Sequence, residues 1–431
     1  MAEETKTEPK EKMKVADLPA VIEKLQKKYG RGCVGIASEA KAIMSFRRIE
    51  TGIFALDYVT GGGIPYGAST MFYGMESGGK SAVALKTIAG AQKMCREHTV
   101  RMVPTGKKLN RCENCGHRGL EDKCPNEPCK KQPLVVGGAD ELHCPQCKKY
   151  LPNRSLYMDS EGTFTTQWAA KMGCDCDLIH VFQPETAEEA MDGSMMLLET
   201  SEFELCAVDT IAQLVPIAEL ENTAEKWQQG LAARLMNKAL RAWVSRMNSS
   251  GIEKLKRMTL LLLNQIRYKI QTFGDPMTRP GGKGQDFAAV IELKMWSGKY
   301  EQDALGNTLG SVVCMHVTKN KTGPTAKMEA NFRLWLRDCA IDGEPKKVGD
   351  TEEEKVLFDY GLKFDTIKYD GKQYVIDALP TDKLTSQDAV KRLILEDPEV
   401  REHIRRSLMG KMIGEVWWDI KELDKARKKE A

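Results

Sequence analysis

The segment STMFYGMESGGKSAVALKTIAGAQK, residues 69–93, constrains the fold more than any other stretch of the chain. A short apolar run enters a glycine-rich turn, and the turn enters a run with helical spacing of apolar residues. Gly74, Gly79, Lys80 and Ser81 meet the pattern G-x-x-x-x-G-K-[ST], with Met75, Glu76, Ser77 and Gly78 filling the turn. In such a turn the backbone N–H groups point inward around phosphate oxygens. Lys80 then reaches the β- and γ-phosphates, and Ser81 ligates Mg²⁺. The pattern arises by chance in on the order of 1% of chains of this length. Its strand and helix flanks therefore favour a nucleotide site over a plain turn.

Later apolar runs read as buried strands of the same parallel sheet. ELCAVDT ends in Asp209, where a carboxylate at a strand's C-terminal end can hold Mg²⁺ through water. MTLLLLNQI ends in Asn264 and Gln265 at the same rim, and SLYMDSEG ends in Asp159 and Glu161. Glu161 is the candidate to orient an attacking water, whereas Asp159 serves equally well as a helix cap. Alternating strands and helices of this kind predict an α/β core with ligands above the strand C-termini.

Composition limits what else the chain can be. Hydrophobic residues make up 42% and charged residues 29%, the balance of a globular protein. No apolar run reaches membrane-spanning length, and the start, MAEETKTEPKEKMKV, is charged rather than signal-like. A cytoplasmic protein with no membrane partner is expected. Net charge is only +3, so a nucleic-acid site must be a local surface. Thirteen cysteines in tight spacings, without an export signal, suggest reduced thiols and a metal.

Order and spacing of several stretches resemble the bacterial RecA recombinase family, its phage relatives included. They are RRIETGIFALDYVTGGGIPYG, GMESGGKS, DSEG, FQPETAEEA, AVDTIAQLVP, GLAARLMNKALR, LLNQIR and VTKNK. The resemblance covers most of the chain, from about residue 21 to about residue 408. It implies ATP-dependent homologous pairing and strand exchange by a self-assembled filament on single-stranded DNA, with homologous duplex as second partner. It also implies ATP and Mg²⁺ as cofactors, with Glu161 activating water and Asp209 tied to the metal. Gln265 would sense the γ-phosphate, and Lys319 and Lys321 would reach a neighbouring subunit's nucleotide. Alone, those two lysines read equally well as edge-strand charges.

Two segments would form the DNA loops. The first, PIAELENTAEKWQQGLAAR, contains Arg234; its acidic start fits a plain surface loop as well. The second, RYKIQTFGDPMTRPGGKGQDF, offers Arg267, Tyr268, Lys269, Ile270 and Arg279, with Gly281 and Gly282 near its end. Cations neutralise phosphates there, and an apolar side chain wedges between bases. One departure concerns the adenine pocket, where the family has an Asp and a Tyr and this chain has Thr165 and Trp168. Trp168 can stack on a purine or simply pack its helix, and Thr165 accepts hydrogen bonds more weakly than a carboxylate.

Between the phosphate-loop helix and the SLYMDS strand lies a cysteine-rich insertion. Cys112-x2-Cys115 and Cys144-x2-Cys147 are knuckles separated by 28 residues, suited to a closed, structural Zn²⁺ ribbon. Cys124 and Cys129 are alternate ligands, and a second ion is a further option. The remaining cysteines, Cys95 among them, read as structural. A connection between that helix and that strand lies at the sheet edge opposite the nucleotide, so the metal should not touch ATP.

The expected whole is an α/β fold: a RecA-like P-loop ATPase core with a mainly parallel sheet over 41–341 and a zinc ribbon at 97–153. Residues 1–40 would be a tail and an oligomerisation helix, and 342–431 a small α/β domain with an Asp-Gly hairpin and one following helix. Loader or mediator proteins are further expected partners. A RecA-fold branch-migration motor and a non-catalytic DNA-binding scaffold are the rival readings.

Overall fold

A computed structural model of the chain describes residues 17–29, 34, 47–97, 101–111, 118–119, 123, 135–200, 202–221, 230–248, 258–268, 277–282, 284–323, 327–341, 344–379 and 384–413. Its centre is an eight-stranded sheet. The strands are β1 (Ser69–Gly74), β2 (Ser155–Asp159), β3 (Ile179–Phe182), β4 (Leu205–Asp209), β5 (Thr259–Gln265), β6 (Ile291–Gln302), β7 (Thr308–Asn320) and β8 (Glu329–Trp335). Their spatial order is β8-β7-β6-β1-β5-β4-β2-β3. From β6 to β3 every pairing is parallel, and β7 and β8 extend the sheet antiparallel.

Both faces of the parallel half are covered, which is why its strands read as unbroken apolar runs. Successive side chains divide between two cores. Phe72, Tyr157, Ala207, Leu261 and Leu263 pack with Val83 and Ile88 of α1 (Lys80–Gln92). Met71, Met158, Val208, Leu260 and Leu262 pack on the other face. There they meet Ala190 of α2 (Ala187–Glu199) and Leu240 and Trp243 of α3 (Leu231–Asn248). Trp243 is fully enclosed, and its indole N–H finds Ser194 Oγ at 2.8 Å. Each such buried large side chain contributes about 1.5–3 kcal/mol, so the two layers fix the sheet on which the site is built.

The insertion forms its own antiparallel sheet of Val103–Arg111, Arg118–Gly119 and Val135–His143. It leaves after the C-terminal end of α1 and returns ahead of β2. Since α1 begins at the phosphate loop and has 13 residues, the insertion's root sits about 20 Å from that loop.

The C-terminal segment folds as α4 (Glu353–Lys363), a hairpin of Ile367–Tyr369 with Tyr374–Ile376, then α5 (Gln387–Glu396) and α6 (Pro398–Ile413). The hairpin turns at Asp370 and Gly371, as expected, with Gly371 at φ 93°. The single helix expected after it is two. Pro398 pushes Asp397 to φ −104°, ψ 105°, and that extended residue ends α5. Phe54 joins the apolar cluster of these elements. Arg405 of α6 is buried against Asp57 and Glu353.

Candidate nucleotide and nucleic-acid site

Four C-terminal strand ends converge on one rim. Asp159 pairs with Asp209 across β2 and β4, and Gln265 pairs with Gly74 across β5 and β1. Between β1 and α1 the turn is built as the motif requires. A Cβ on Gly74 would lie 1.9 Å from the Met295 carbonyl oxygen, so only glycine lets the turn pass under β6. Gly79 caps α1 at φ 81°, and Ser77 also adopts the left-handed conformation at φ 58°. Lys80 folds back over the turn, donating to the Gly74 and Met75 carbonyls at 3.2 and 2.6 Å. Burial lowers its pKa, an effect opposed by Asp209, Glu161 and Glu76.

Asp209 is almost fully buried and accepts a 2.6 Å hydrogen bond from Tyr157 and another from Ser81. Burial raises its pKa in spite of those donors and Lys80. A hydroxyl bonded to a buried carboxylate at a helix N-terminus fits Mg²⁺ beside a bound triphosphate. Glu161 stands more open, and Gln265 Nε2 donates to its Oε1 at 2.9 Å. Its pKa is also raised, first by burial and then by the charge of Asp209. Asp159 takes the structural role. Its carboxylate accepts from the Thr163 and Phe164 N–H groups and from Gln183, fixing the turn that carries Glu161. Thr165 caps the Thr166–Lys171 helix through the Trp168 N–H, and Trp168 is partly buried against the α1-side core.

The strand bearing Gln265 runs on into the second expected DNA loop. Arg267 and Tyr268 pair with Thr278 and Met277, and Arg267 is exposed. Lys269 and Ile270 lie outside the described residues. The loop's far end packs on α3, whose first turn carries the exposed Arg234. Gly281 and Gly282 have φ of 89° and 75°, and Cβ atoms there would press on Met236 and Ala233. Asn264, fully buried, holds this end by donating to the Pro280 carbonyl and to Gln285 Oε1.

A family model described as the RecA N-terminal domain matches residues 16–104 and 145–338. The chain belongs to the RecA family. Among its relatives is the protein RecA of Nocardia farcinica, 28% identical over 402 residues, covering 92% of each chain. The protein RecA of Chlorobaculum tepidum is 29% identical, over 93% of this chain and 94% of its own. That of Cytophaga hutchinsonii is 26% identical, over 96% and 95%. Within the RecA N-terminal domain match the break at 105–144 falls inside the cysteine-rich insertion.

Several residues singled out by the RecA resemblance have partners that the sequence did not disclose. Arg279, expected on DNA, stacks over Tyr73 and pairs with Asp286 and with Glu292 at 2.9 Å. Lys319 bonds the Ala289 carbonyl at 2.6 Å and Glu292 at 3.3 Å, while Lys321 is exposed. Buried Glu292 therefore joins the arginine expected on DNA to the expected interface lysine within one chain. Cys112, Cys115, Cys124 and Cys129 lie outside the described residues. Cys144 and Cys147 do come together, and their third neighbour is Cys95. A local-spacing argument could not reach Cys95, because it precedes the insertion. Among the described residues no helix is long and apolar enough to cross a membrane.

Proposed function

We propose that the chain is an ATP-dependent DNA recombinase that forms filaments on single-stranded DNA and pairs that strand with homologous duplex. The observation that carries this reading is the Gln265–Glu161 hydrogen bond. It joins the candidate hydrolytic carboxylate to the strand that continues into the second loop, so occupancy at the phosphates and the state of that loop are mechanically linked.

The phosphate-loop amides and Lys80 bind the triphosphate. Ser81 and Asp209 would hold Mg²⁺, which when bound offsets the charge of the phosphates. Glu161 orients the attacking water and takes its proton. Gln265 reports the γ-phosphate to the loop, where Arg234, Arg267, Tyr268, Lys269 and Ile270 meet DNA. Arg279, Gly281 and Gly282 set the loop's base. Trp168 lies against the nucleotide base, and Lys319 and Lys321 serve the neighbouring subunit's nucleotide.

Self-assembly agrees with the Leu18–Tyr29 helix, which has no buried residue in the single chain and leaves Leu18 68% exposed. The insertion binds zinc through the Cys144–Cys147 knuckle. A cytoplasmic setting and loader or mediator proteins complete the reading.

Joint-molecule formation between an oligonucleotide and homologous supercoiled duplex, with Mg²⁺ and ATP, tests it. Homology-dependent joints are expected, and they should persist in Glu161→Gln while ATP turnover is lost. DNA-stimulated hydrolysis without joints would instead indicate a motor.

A further inference from the structure

The three thiols at the root of the insertion come from two parts of the chain. The Sγ atoms of Cys95, Cys144 and Cys147 all lie within 4.8 Å of one another. Cys95 and Cys144 have no solvent exposure, and the apolar Met102, Leu142 and Leu151 surround them. The turn after Cys144 is shaped as a chelating knuckle. Lys148 donates its N–H to the Cys144 carbonyl at 2.8 Å, and the Cys144 N–H reaches Lys149 at 2.9 Å. Lys148 takes the left-handed φ of 59° that closes the turn. The Gln146 N–H points at Cys144 Sγ, 3.4 Å away, a donor that stabilises a thiolate. Cys95 is held opposite by its bridge to Pro152 and by the Arg96 N–H bond to the Leu151 carbonyl at 2.9 Å.

We infer that Cys95, a residue of the ATPase core, is a zinc ligand together with Cys144 and Cys147. The inference rests on the reading that the insertion binds zinc, and it changes what the metal does. Four thiolates at about 2.3 Å from zinc stand about 3.8 Å apart, so the three sulfurs need to close by no more than about an ångström. Among the described residues no further Cys, His, Asp or Glu joins the group. Cys95 follows the last residue of α1 by three positions. A metal there fastens the insertion directly to the phosphate-loop helix, so the insertion is carried in a fixed orientation. Metal binding then adds to the stability of the core as well as that of the insertion.

Zinc content of the full-length chain, by mass spectrometry of the metal, comes first. Zinc is expected in the wild type and in Cys339→Ser, with at least a tenfold loss of affinity in Cys95→Val, which keeps the packing volume. Cys95→His should regain metal and, loaded with cobalt, show a changed visible spectrum. Mapping alkylation in the wild type needs no variant to fold: chelation should open Cys95, Cys144 and Cys147 together. Zinc retained in Cys95→Val, or Cys95 still protected after chelation has opened the other two, overturns the inference and leaves the ligands inside the insertion. A wild type without zinc sinks the zinc reading itself and this inference with it.

Discussion

The two ends of α1 face opposite demands. At its N-terminal end, Lys80, Glu161 and Asp209 are charged groups crowded at a partly desolvated rim, and burial shifts all three toward their neutral forms. That arrangement is costly in the absence of nucleotide, and ligand binding offsets the cost. At the C-terminal end the thiols sit among apolar side chains, and the charges flanking them in sequence are paired, Arg96 with Glu202 and Glu204 and Arg101 with Glu50 and Glu402. On the reading proposed above, one end serves chemistry and the other cohesion. The same helix serves both because about 20 Å of rigid backbone separates them.

The sharpest attempt to break this contrast uses Glu161→Gln beside chelation of the wild type. Glu161→Gln should lower single-strand-stimulated ATP turnover by about 10²–10⁴-fold, the usual worth of a positioned base. Chelation should leave turnover within about twofold at 25 °C while lowering the melting temperature by at least about 2 °C, equivalent to roughly 2 kcal/mol for a chain this large. If chelation depressed turnover as strongly as Glu161→Gln does, the ends would not be independent.

A second test addresses how the charged rim is held. Glu292→Ala would strip Arg279 and Lys319 of their shared carboxylate. We expect a loss of about 3 kcal/mol in denaturant melts, the low end for a buried pair, because both cations keep some solvent. DNA binding should weaken as well. Unchanged stability would mean that Asp286 and the Ala289 carbonyl suffice.

The smallest effects are those of pH. In its proposed role Glu161 must be ionised, and burial together with Asp209 raises its pKa. The acid limb of single-turnover hydrolysis should therefore lie above the ordinary carboxylate range, and a limb within that range would contradict the arrangement. Because the folded protein holds this proton more tightly than the unfolded chain, the site's contribution to apo stability is lost as pH rises through the folded value. Glu161→Gln should accordingly gain a few tenths of a kcal/mol, roughly, at neutral pH, discounted for solvent exposure.

What the sequence disclosed follows from the range of the forces involved. The phosphate loop, Asp209, Glu161 and Gln265 were legible because each sits at the end of its own apolar run. A parallel sheet brings such ends to one rim whatever the details. The partners of Arg279 and Lys319 were not legible, since Glu292 meets Lys319 only through the pairing of β6 with β7, and meets Arg279 only where the loop folds back over Tyr73 of β1. The approach of Cys95 to Cys144 and Cys147 was not legible for a similar reason. The Cys95 bridge to Pro152 is a tertiary pairing, and no spacing rule within the insertion reaches it. The break at Pro398 could have been read, because the residue before a proline resists helix.

The bridge between Cys95 and Pro152 has one more consequence. Partners in such a bridge lie about 5 Å apart, so from the core's side everything between them is a closed loop with adjacent ends. A chain can accept almost any folded module at a point like that, because the surrounding elements need not move to admit it. This neck is therefore a natural grafting point: replacing residues between Cys95 and Pro152 with a short turn, or with an unrelated domain whose termini meet, should leave the ATPase fold intact. In any assembly of this chain, such a graft would repeat once per subunit.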